Sequence, residues 1–180
     1  MSVQRAMQRA GRLVWRGLSL RVRVGSDAHG SGQWVLAKPD LFSLRQTTVE
    51  DYLDPVVHEI KVRRADLLGD LRRPTKGEAY RQMGRECWYV LAEGVGDADD
   101  VPQDYGVMVE QAGLLEVRRP APRRALRLPF ATWMALARAT PEHVGVEMIL
   151  HGTPQRALPS AVRLPLAEGG ARALAGPPRP

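Results

Sequence analysis

The sequence predicts an α/β fold in which a mixed central sheet is flanked by helices, and two patterns indicate it. Short apolar runs rich in β-branched and aromatic residues have the length of strands, and other segments have the apolar spacing of helices. The strand-like runs cover residues 18–24, 34–37, 41–44, 56–62, 87–92 and 105–118, and the helix-like segments cover 1–17, 63–74, the residues after 75, and 128–139. The continuous apolar run at 87–92 predicts a strand at the centre of the sheet, and the run at 105–118 predicts a β-hairpin.

Composition separates one domain, over residues 1–140, from a tail, over residues 141–180. The chain has 180 residues with 44% hydrophobic content, which is enough for one domain with a sizeable core. From residue 141 onward Pro, Gly, Ala and Arg dominate without periodicity, so we expect a disordered tail. A single cysteine, Cys87, excludes an intrachain disulfide framework, and no apolar run reaches the roughly 18 residues of a membrane span. We therefore expect a protein of the reducing cytoplasm that does not enter a membrane.

The charge of the chain favours nucleic acid as a partner. There are 26 Lys and Arg residues against 20 Asp and Glu, a net charge of +6, and nearly all the cations are arginines, whose planar guanidinium suits phosphate. In the first segment, arginines recur at the spacing of one helix face, at Arg5, Arg9, Arg12 and Arg16. Such a face either lies against phosphates or is simply solvated, and the sequence leaves both interpretations open.

The strand at residues 56–62 carries the main candidate site. Because side chains alternate along a strand, Glu59 and Lys61 share one face. Folding this run antiparallel to the preceding one, about residues 49 and 50, places Asp40 opposite Glu59. Two carboxylates beside a lysine are the groups needed to hold a divalent cation and to orient a water for attack on a phosphodiester. The alternative is an exposed strand face on which a Glu and a Lys are merely solvated.

The acids that follow have simpler interpretations. Asp66 and Asp70 lie one helical turn apart among arginines, and ion pairs with those arginines are their expected role. Thr75 and Glu78 have the spacing of a capping box, which predicts the start of a helix. The acidic loop over residues 94–104 lacks the spacing of an EF-hand, so we expect it to be solvated.

Several stretches of the chain follow one another in the order and spacing of a known family. They are EIKVRRADLLGD at residues 59–70, Tyr80, WYVLA at 88–92, VPQDYGVMV at 101–109 and RPAP at 119–122. These stretches resemble the MmcB family of bacterial DNA repair proteins, within the PD-(D/E)xK nuclease superfamily. The resemblance covers roughly residues 35–122 and implies a restriction-endonuclease-like sheet. The chain departs from the superfamily pattern at its first helix, which has no glutamate.

The predicted site has three sets of residues. The metal and catalytic set, which the resemblance assigns to Mg²⁺ or Mn²⁺ and to water positioning, comprises Asp40, Glu59 and Lys61. The DNA-binding set is formed by the arginines Arg5, Arg9, Arg12, Arg16, Arg63 and Arg64. The family-motif positions without an assigned role are Asp66, Asp70 and Tyr80.

Three functions are compatible with these residues. The first is a metal-dependent deoxyribonuclease of DNA repair, in which the acids hold the cation and the arginines neutralise phosphates. The second is a non-catalytic DNA-binding repair factor on the same fold, in which the acids are structural. The third is a protein-interaction module whose arginines meet an acidic partner. Fold alone does not choose among them.

Overall fold

The computed structural model describes residues 2–25 and 32–142, so the predicted tail lies outside the described residues from position 143 onward. The strands are β1 (Arg12–Arg16), β2 (Leu20–Val24), β3 (Gln33–Ala37), β4 (Leu41–Arg45), β5 (Val56–Lys61), β6 (Glu86–Ala92), β7 (Gly106–Gln111) and β8 (Leu114–Arg119). The helices are α1 (Ser2–Arg9), α2 (Arg64–Leu71), α3 (Pro74–Arg81) and α4 (Phe130–Arg138). Within these ranges no helix is long and apolar enough to cross a membrane.

Six strands form a mixed sheet in the order β1-β4-β5-β6-β7-β8. The three strands β5, β6 and β7 are parallel, and the pairs at both ends of the sheet are antiparallel. A parallel pair needs a crossover connection, which α2 and α3 provide between β5 and β6. The predicted α/β architecture, with a mixed sheet flanked by helices, is therefore confirmed. The predicted central strand and the predicted hairpin are also observed, as β6 and as the β7–β8 pair.

Strands β2 and β3 form a separate two-stranded antiparallel ribbon. Its inward side chains, among them Leu20, Val22 and Ala37, are buried in the same apolar core as one face of the main sheet. Helices α3 and α4 contact the ribbon on that side. The ribbon therefore covers this side of the core, and its other face is exposed to solvent.

The pairing of β4 with β5 sets the register of the candidate site. Leu41 pairs with His58 and Phe42 with Val57. One step further along the same antiparallel register, Asp40 stands opposite Glu59. The register predicted from the sequence is the one that the structure adopts.

The two faces of the main sheet belong to two apolar clusters. On one face Val57 packs with residues of the ribbon, α3 and α4. On the other face Val56 packs with Val3 of α1 and with Val14 of β1. Because neighbouring strand residues point to opposite faces, β5 directs Glu59 and Lys61 toward the α3 side, and His58 toward the α1 side.

The first helix is shorter than predicted. It ends at Arg9, Gly11 adopts a left-handed φ of 71°, and residues from Arg12 form β1 instead of continuing the helix. In this strand the adjacent residues Val14 and Trp15 are both buried, on opposite faces of the sheet. The single arginine face predicted over residues 1–17 is therefore wrong, because it is divided between a helix and a strand.

Helix α3 begins at Pro74, one residue before the predicted capping box. Proline suits the first helical position because no N–H is needed there. The N-terminal cap of the helix lacks a side-chain hydrogen bond. Glu78 instead accepts a hydrogen bond from the backbone N–H of Gly25 at 2.6 Å. The predicted capping role of Glu78 is therefore wrong, and this residue ties α3 to the end of β2.

Arg12, one of the predicted DNA-binding arginines, belongs to a buried ion-pair cluster. Its guanidinium donates to Asp54 Oδ2 at 3.1 Å and to Ser43 Oγ at 3.0 Å. Arg123 donates to the other oxygen of Asp54 at 2.6 Å. Burial lowers the pKa of Arg12, although the bond to Asp54 acts in the opposite direction. The cluster holds the β4–β5 connection against β1. Arg12 could contact a DNA phosphate only if it broke its bonds to Asp54 and Ser43.

The Asp54 cluster predicts a large loss of stability when Asp54, the acid paired with Arg12, is neutralised. Asp54→Asn keeps the shape and tolerates the positive φ of 49° at this position, but leaves Arg12 buried without a counter-charge. We expect the free energy of unfolding, measured by urea denaturation, to fall by about 3 kcal/mol. Glu116→Gln, which removes the partner of Arg118 in an exposed pair at 3.0 Å, is the matched control and should cost less than about 0.5 kcal/mol. Equal losses in the two variants would contradict a structural role for Asp54.

Candidate functional site

Two acids, two lysines and two tyrosines form a buried polar cluster beside the end of β5. The members are Glu59 and Lys61 of β5, Asp70 of α2, Lys76 and Tyr80 of α3, and Tyr89 of β6. The crossover from β5 through α2 and α3 to β6 folds these residues onto one another. Lys61 Nζ lies 2.7 Å from Glu59 Oε1, which confirms the predicted shared face.

Both oxygens of Glu59 accept hydrogen bonds from side chains of the protein. Oε1 accepts from Lys61 at 2.7 Å and from Lys76 at 2.5 Å. Oε2 lies 2.9 Å from the hydroxyl of Tyr80, which is also 3.0 Å from the carbonyl oxygen of Lys38 and donates its single proton to one of the two at a time. Glu59 is only 3% exposed, so these donors replace the water that a carboxylate otherwise requires.

Asp70 is the second acid of the cluster. Its Oδ1 accepts from Lys76 at 2.5 Å, and its Oδ2 accepts from the Tyr89 hydroxyl at 3.0 Å and lies 3.4 Å from Lys61 Nζ. Burial acts to raise the pKa of Asp70, but the hydrogen bond from Lys76 and the charge of Lys61 outweigh it and hold the pKa below its ordinary value. Burial lowers the pKa of Lys76, and the two carboxylates raise it above its ordinary value. Asp70 and Lys76 are therefore both charged at neutral pH.

The two tyrosines of the cluster act as proton donors. Burial raises the pKa of Tyr80, and the negative charge of Glu59 raises it further. Burial and the charge of Asp70 likewise raise the pKa of Tyr89. Both hydroxyls therefore stay protonated. Tyr89 donates to Asp70, and Tyr80 donates to Glu59 or to the carbonyl oxygen of Lys38.

Asp40 lies at the margin of this cluster, at the start of β4. Its Oδ2 accepts a hydrogen bond from the backbone N–H of Ile60 at 2.8 Å. Partial burial raises the pKa of Asp40, the Ile60 hydrogen bond lowers it, and the charge of Glu59 raises it, with a net pKa above the ordinary value. Asp40 and Glu59 are thus electrostatic neighbours, as their register requires, while Asp40 also fastens the end of the β4–β5 pair.

A cavity of about 670 Å³ opens beside Asp40. Arg16, from the end of β1, and Lys38, from the segment before β4, line it together with Asp40 and Ile60. Arg16 and Lys38 are both exposed. Glu142, a second exposed acid, also lines the cavity. The lining therefore balances two cations against two acids, so that phosphates can meet the cations while the acids face a cation.

The remaining arginines of the predicted DNA-binding set lie elsewhere. Arg5 and Arg9 are exposed on α1, on the sheet face opposite to the cluster. Arg63 is exposed immediately before α2. Arg64 makes two hydrogen bonds to Asp100, at 3.1 and 2.8 Å, and Asp100 belongs to the predicted acidic loop.

The two acids of the predicted helix after β5 have different surroundings. Asp66 is exposed and lies outside the cluster. Asp70 is buried and pairs with two lysines. The prediction that Asp70 pairs with neighbouring arginines is therefore wrong, because the turn from α2 into α3 brings Lys76 closer than any arginine of α2.

The donor set accommodates a hard cation such as Mg²⁺ or Mn²⁺ only if Lys76 withdraws. Its ammonium lies 2.5 Å from Glu59 Oε1 and 2.5 Å from Asp70 Oδ1, where a cation bridging two carboxylates would sit. Within residues 2–25 and 32–142, no group of three or more His, Cys, Asp or Glu side chains is placed to hold a metal. After withdrawal of Lys76, Glu59 and Asp70 remain as the carboxylate pair at its place, and Asp40 lies beside Glu59 in the β4–β5 pair.

Sequence reasoning missed Lys76 and Tyr89 as members of the site. The sequence pattern around Lys76 indicates only a capping motif, and the pattern around Tyr89 indicates only a central strand. The signal for Tyr89 is its position opposite Glu59 in the parallel register of β5 and β6. The signal for Lys76 is weaker, because its contact with Glu59 spans 17 residues and depends on the packing of α3.

Comparisons with known proteins bear on the fold only. No protein-family model and no curated protein matches the chain. Among solved structures, it is similar to the SPO1766 protein of unknown function from Silicibacter pomeroyi, with 18% sequence identity over 76% of this chain and 77% of that chain, and a TM-score of 0.52. Two chains this distant in sequence share an arrangement of strands and helices, and the likeness says nothing of activity.

The opposite face of the site strand carries His58, which is 1% exposed. Burial, with a smaller effect from the charge of Arg12, lowers the pKa of His58 to about 3. Its Nδ1 is buried and, among the described residues, has no hydrogen-bond partner. His58 is therefore neutral in the folded protein at every pH at which the site would operate.

His58 predicts a dependence of stability on pH. Its pKa is about 3 in the folded chain and about 6.5 in an unfolded one, so between these values the unfolded state binds one more proton. Stability is complete above about pH 6.5 and is lost as the pH falls. Between pH 7 and pH 5 this single group should lower the free energy of unfolding by about 2 kcal/mol. His58→Gln should remove that part of the slope in urea denaturation series, and parallel slopes for the two proteins would contradict the assignment.

Proposed function

We propose that this chain is a DNA-binding protein of the PD-(D/E)xK nuclease-like fold that acts in DNA repair. The observation that carries the proposal is the cavity beside Asp40, whose lining combines the exposed cations Arg16 and Lys38 with the acids Asp40 and Glu142. A guanidinium and an ammonium are each suited to a backbone phosphate. Because the partner is chromosomal DNA, the proposal implies a cytoplasmic location in a bacterial cell.

The arrangement of the strands supports the fold assignment in this proposal. An antiparallel pair brings Asp40 opposite Glu59, and the strand that carries Glu59 and Lys61 then pairs in parallel with β6. The crossover helices cover the face toward which both site residues point. This is the relation between acids, lysine and sheet that the resemblance to the nuclease superfamily implies.

The cavity predicts which cations contact DNA. Replacing Arg16 and Lys38 together with glutamine should weaken binding of a labelled 20-base-pair duplex about tenfold at 0.1 M salt, in fluorescence anisotropy. It should also reduce the slope of log affinity against log salt by roughly 1.8, as expected when two phosphates are no longer neutralised by the protein. The matched control replaces Arg5 and Arg9, two exposed cations on the far side of the sheet.

Comparison of the two double variants decides the position of the DNA. If the Arg5 and Arg9 variant loses as much affinity as the Arg16 and Lys38 variant, binding is diffuse and the cavity is not the interface. If the wild-type protein binds no DNA but binds an acidic protein, DNA binding is overturned.

A second candidate function is hydrolysis of the bound phosphodiester. The observation that favours it is the β4–β5 register, which places Asp40 opposite Glu59, with Lys61 2.7 Å from Glu59. A bound Mg²⁺ or Mn²⁺ would supply Lewis-acid activation of a water and charge neutralisation at the phosphate. On this chain Glu59 would hold that ion either with Asp70, at the place of the Lys76 ammonium, or with Asp40 across the β4–β5 pair. Lys61 would place positive charge beside the attacking oxygen.

Variants of Lys76 distinguish the two candidate functions, which are DNA binding alone and metal-dependent hydrolysis. With Lys76 in place, two acids and two lysines balance, and the cluster offers a divalent cation little attraction. Lys76→Met should therefore strengthen Mn²⁺ binding, measured by calorimetry, by about tenfold or more, because a neighbouring positive charge is removed. Lys76→Arg, which keeps the charge, should show no gain.

The metal variants separate a nuclease from a binding factor. Adding Glu59→Gln to Lys76→Met should abolish the gain. Adding Asp40→Asn or Asp70→Asn instead identifies which acid is the second carboxylate of the site. Absence of heat in Lys76→Met at millimolar Mn²⁺ would exclude a metal site at this cluster, and the protein would then be a non-catalytic DNA-binding factor.

A further inference from the structure

The outward face of the β2–β3 ribbon combines two arginines with two apolar side chains. Cross-strand pairing places Arg21 opposite Leu36, and Arg23 opposite Trp34. All four residues are exposed, and Trp34 is 57% exposed and Leu36 58%. Directly opposite residues in an antiparallel pair lie on one face, so these four side chains form a single surface, which we call the ribbon face.

The chemistry of the ribbon face is specific. Exposure of a large apolar indole to water is energetically unfavourable, so a ligand that covers the indole is stabilised. The neighbouring guanidinium adds positive charge and a second planar group that can stack on a ring. None of the four positions is acidic. Such a surface suits a ligand that has aromatic rings and negative charges in alternation.

The ribbon face is continuous with the cavity beside Asp40. A groove of about 580 Å³ is lined by Arg21 and Leu36 on the ribbon side and by Met134 of α4 on the other, and it also includes Arg16. The cavity beside Asp40 includes the same Arg16. The two depressions therefore share Arg16 and Gly17 and lie side by side. We call the pair of depressions the Arg16 track.

The length of this track fits several nucleotides. Trp34 and Asp40 are six positions apart in the chain, which is at most roughly 20 Å of extended chain. At the 3.4 Å spacing of a stacked DNA strand, this length holds at most about six nucleotides.

We propose that the ribbon face is a binding platform for single-stranded DNA, on which Trp34 stacks with an unpaired base while Arg21 and Arg23 neutralise phosphates. The platform rests on the proposed function, because it extends the DNA site at Asp40 along the Arg16 track. Bases in a duplex are already stacked on one another, so an exposed indole gains little from duplex DNA and much from an unpaired strand.

Trp34 variants test the platform with two DNA probes. We expect Trp34→Ala to weaken binding of a labelled 12-nucleotide oligothymidylate about tenfold, and binding of the 20-base-pair duplex less than twofold, in fluorescence anisotropy. Trp34→Phe should restore part of the lost affinity because a smaller ring still stacks. Tyr52→Ala is the matched control, since Tyr52 is a 63% exposed aromatic residue at the opposite end of the β4–β5 pair from Asp40.

Arg21 and Arg23 are tested separately, through the salt dependence of oligothymidylate binding. Replacing Arg21 and Arg23 with glutamine should reduce the salt slope for the oligothymidylate by roughly 1.4, which corresponds to two phosphates on a single strand. Arg118→Gln, which removes one cation from an exposed pair on β8, should leave it unchanged.

The outcomes distinguish the platform from the DNA site on which it rests. Unchanged oligothymidylate binding in Trp34→Ala, with normal duplex binding that depends on Arg16 and Lys38, overturns the platform alone. Loss of single-strand binding in Trp34→Ala, with duplex binding indifferent to Arg16 and Lys38, supports the platform and overturns the cavity site. Equal losses for duplex and single strand in Trp34→Ala overturn the preference for unpaired bases.

Discussion

The ion cluster of Glu59, Lys61, Asp70 and Lys76 is the interaction on which the placement of α2 and α3 depends. An ion taken out of water loses several kcal/mol of solvation unless partners replace it, and each of these four groups is compensated by the others. The cluster joins β5 to the end of α2 and to the first turn of α3. Because the two helices form the crossover between parallel strands, the same contacts also hold β5 and β6 in register. Removing any one of the four charges leaves the cluster with a net charge that no side chain within it compensates.

This charge balance also limits the chemistry of the site. A divalent cation added to two acids and two ammonium groups would leave a large positive excess, so a metal must displace a lysine. The two lysines are not equivalent in this respect. The side chain of Lys61 is 9% exposed, whereas that of Lys76 is 25% exposed and has a path to water. Lys76 is therefore the residue that can leave, and Lys61 is the one that remains beside Glu59.

The sequence predicts those features of the site that follow from local geometry. Strand alternation places Glu59 beside Lys61, and the antiparallel register places Asp40 opposite Glu59, because both depend on a fixed repeat of two residues. Lys76 could not be found in this way, since its position depends on how α3 packs against the sheet. The arginine spacing over residues 1–17 wrongly predicted a single helix, for a related reason. A repeat of three and four residues on a short segment describes a helix face, but it is also compatible with a helix followed by a strand, and the burial of Val14 and Trp15 on two sheet faces favours the strand.

Arginines lie on both sides of the main sheet, so positive charge alone does not locate a DNA interface. Those of α1 stand on one side, behind the face that His58 occupies, and no acid of the cluster points toward them. Those of the ribbon stand on the other side, and the shared position of Arg16 connects them to the cavity at Asp40. A DNA strand bound along the ribbon would therefore reach the acidic edge of the cluster at Asp40. A DNA strand bound along α1 would be separated from the cluster by the main sheet. The topology that folds the ribbon over the core is what brings a basic, aromatic surface to the same end of the sheet as Asp40, Glu59 and Lys61.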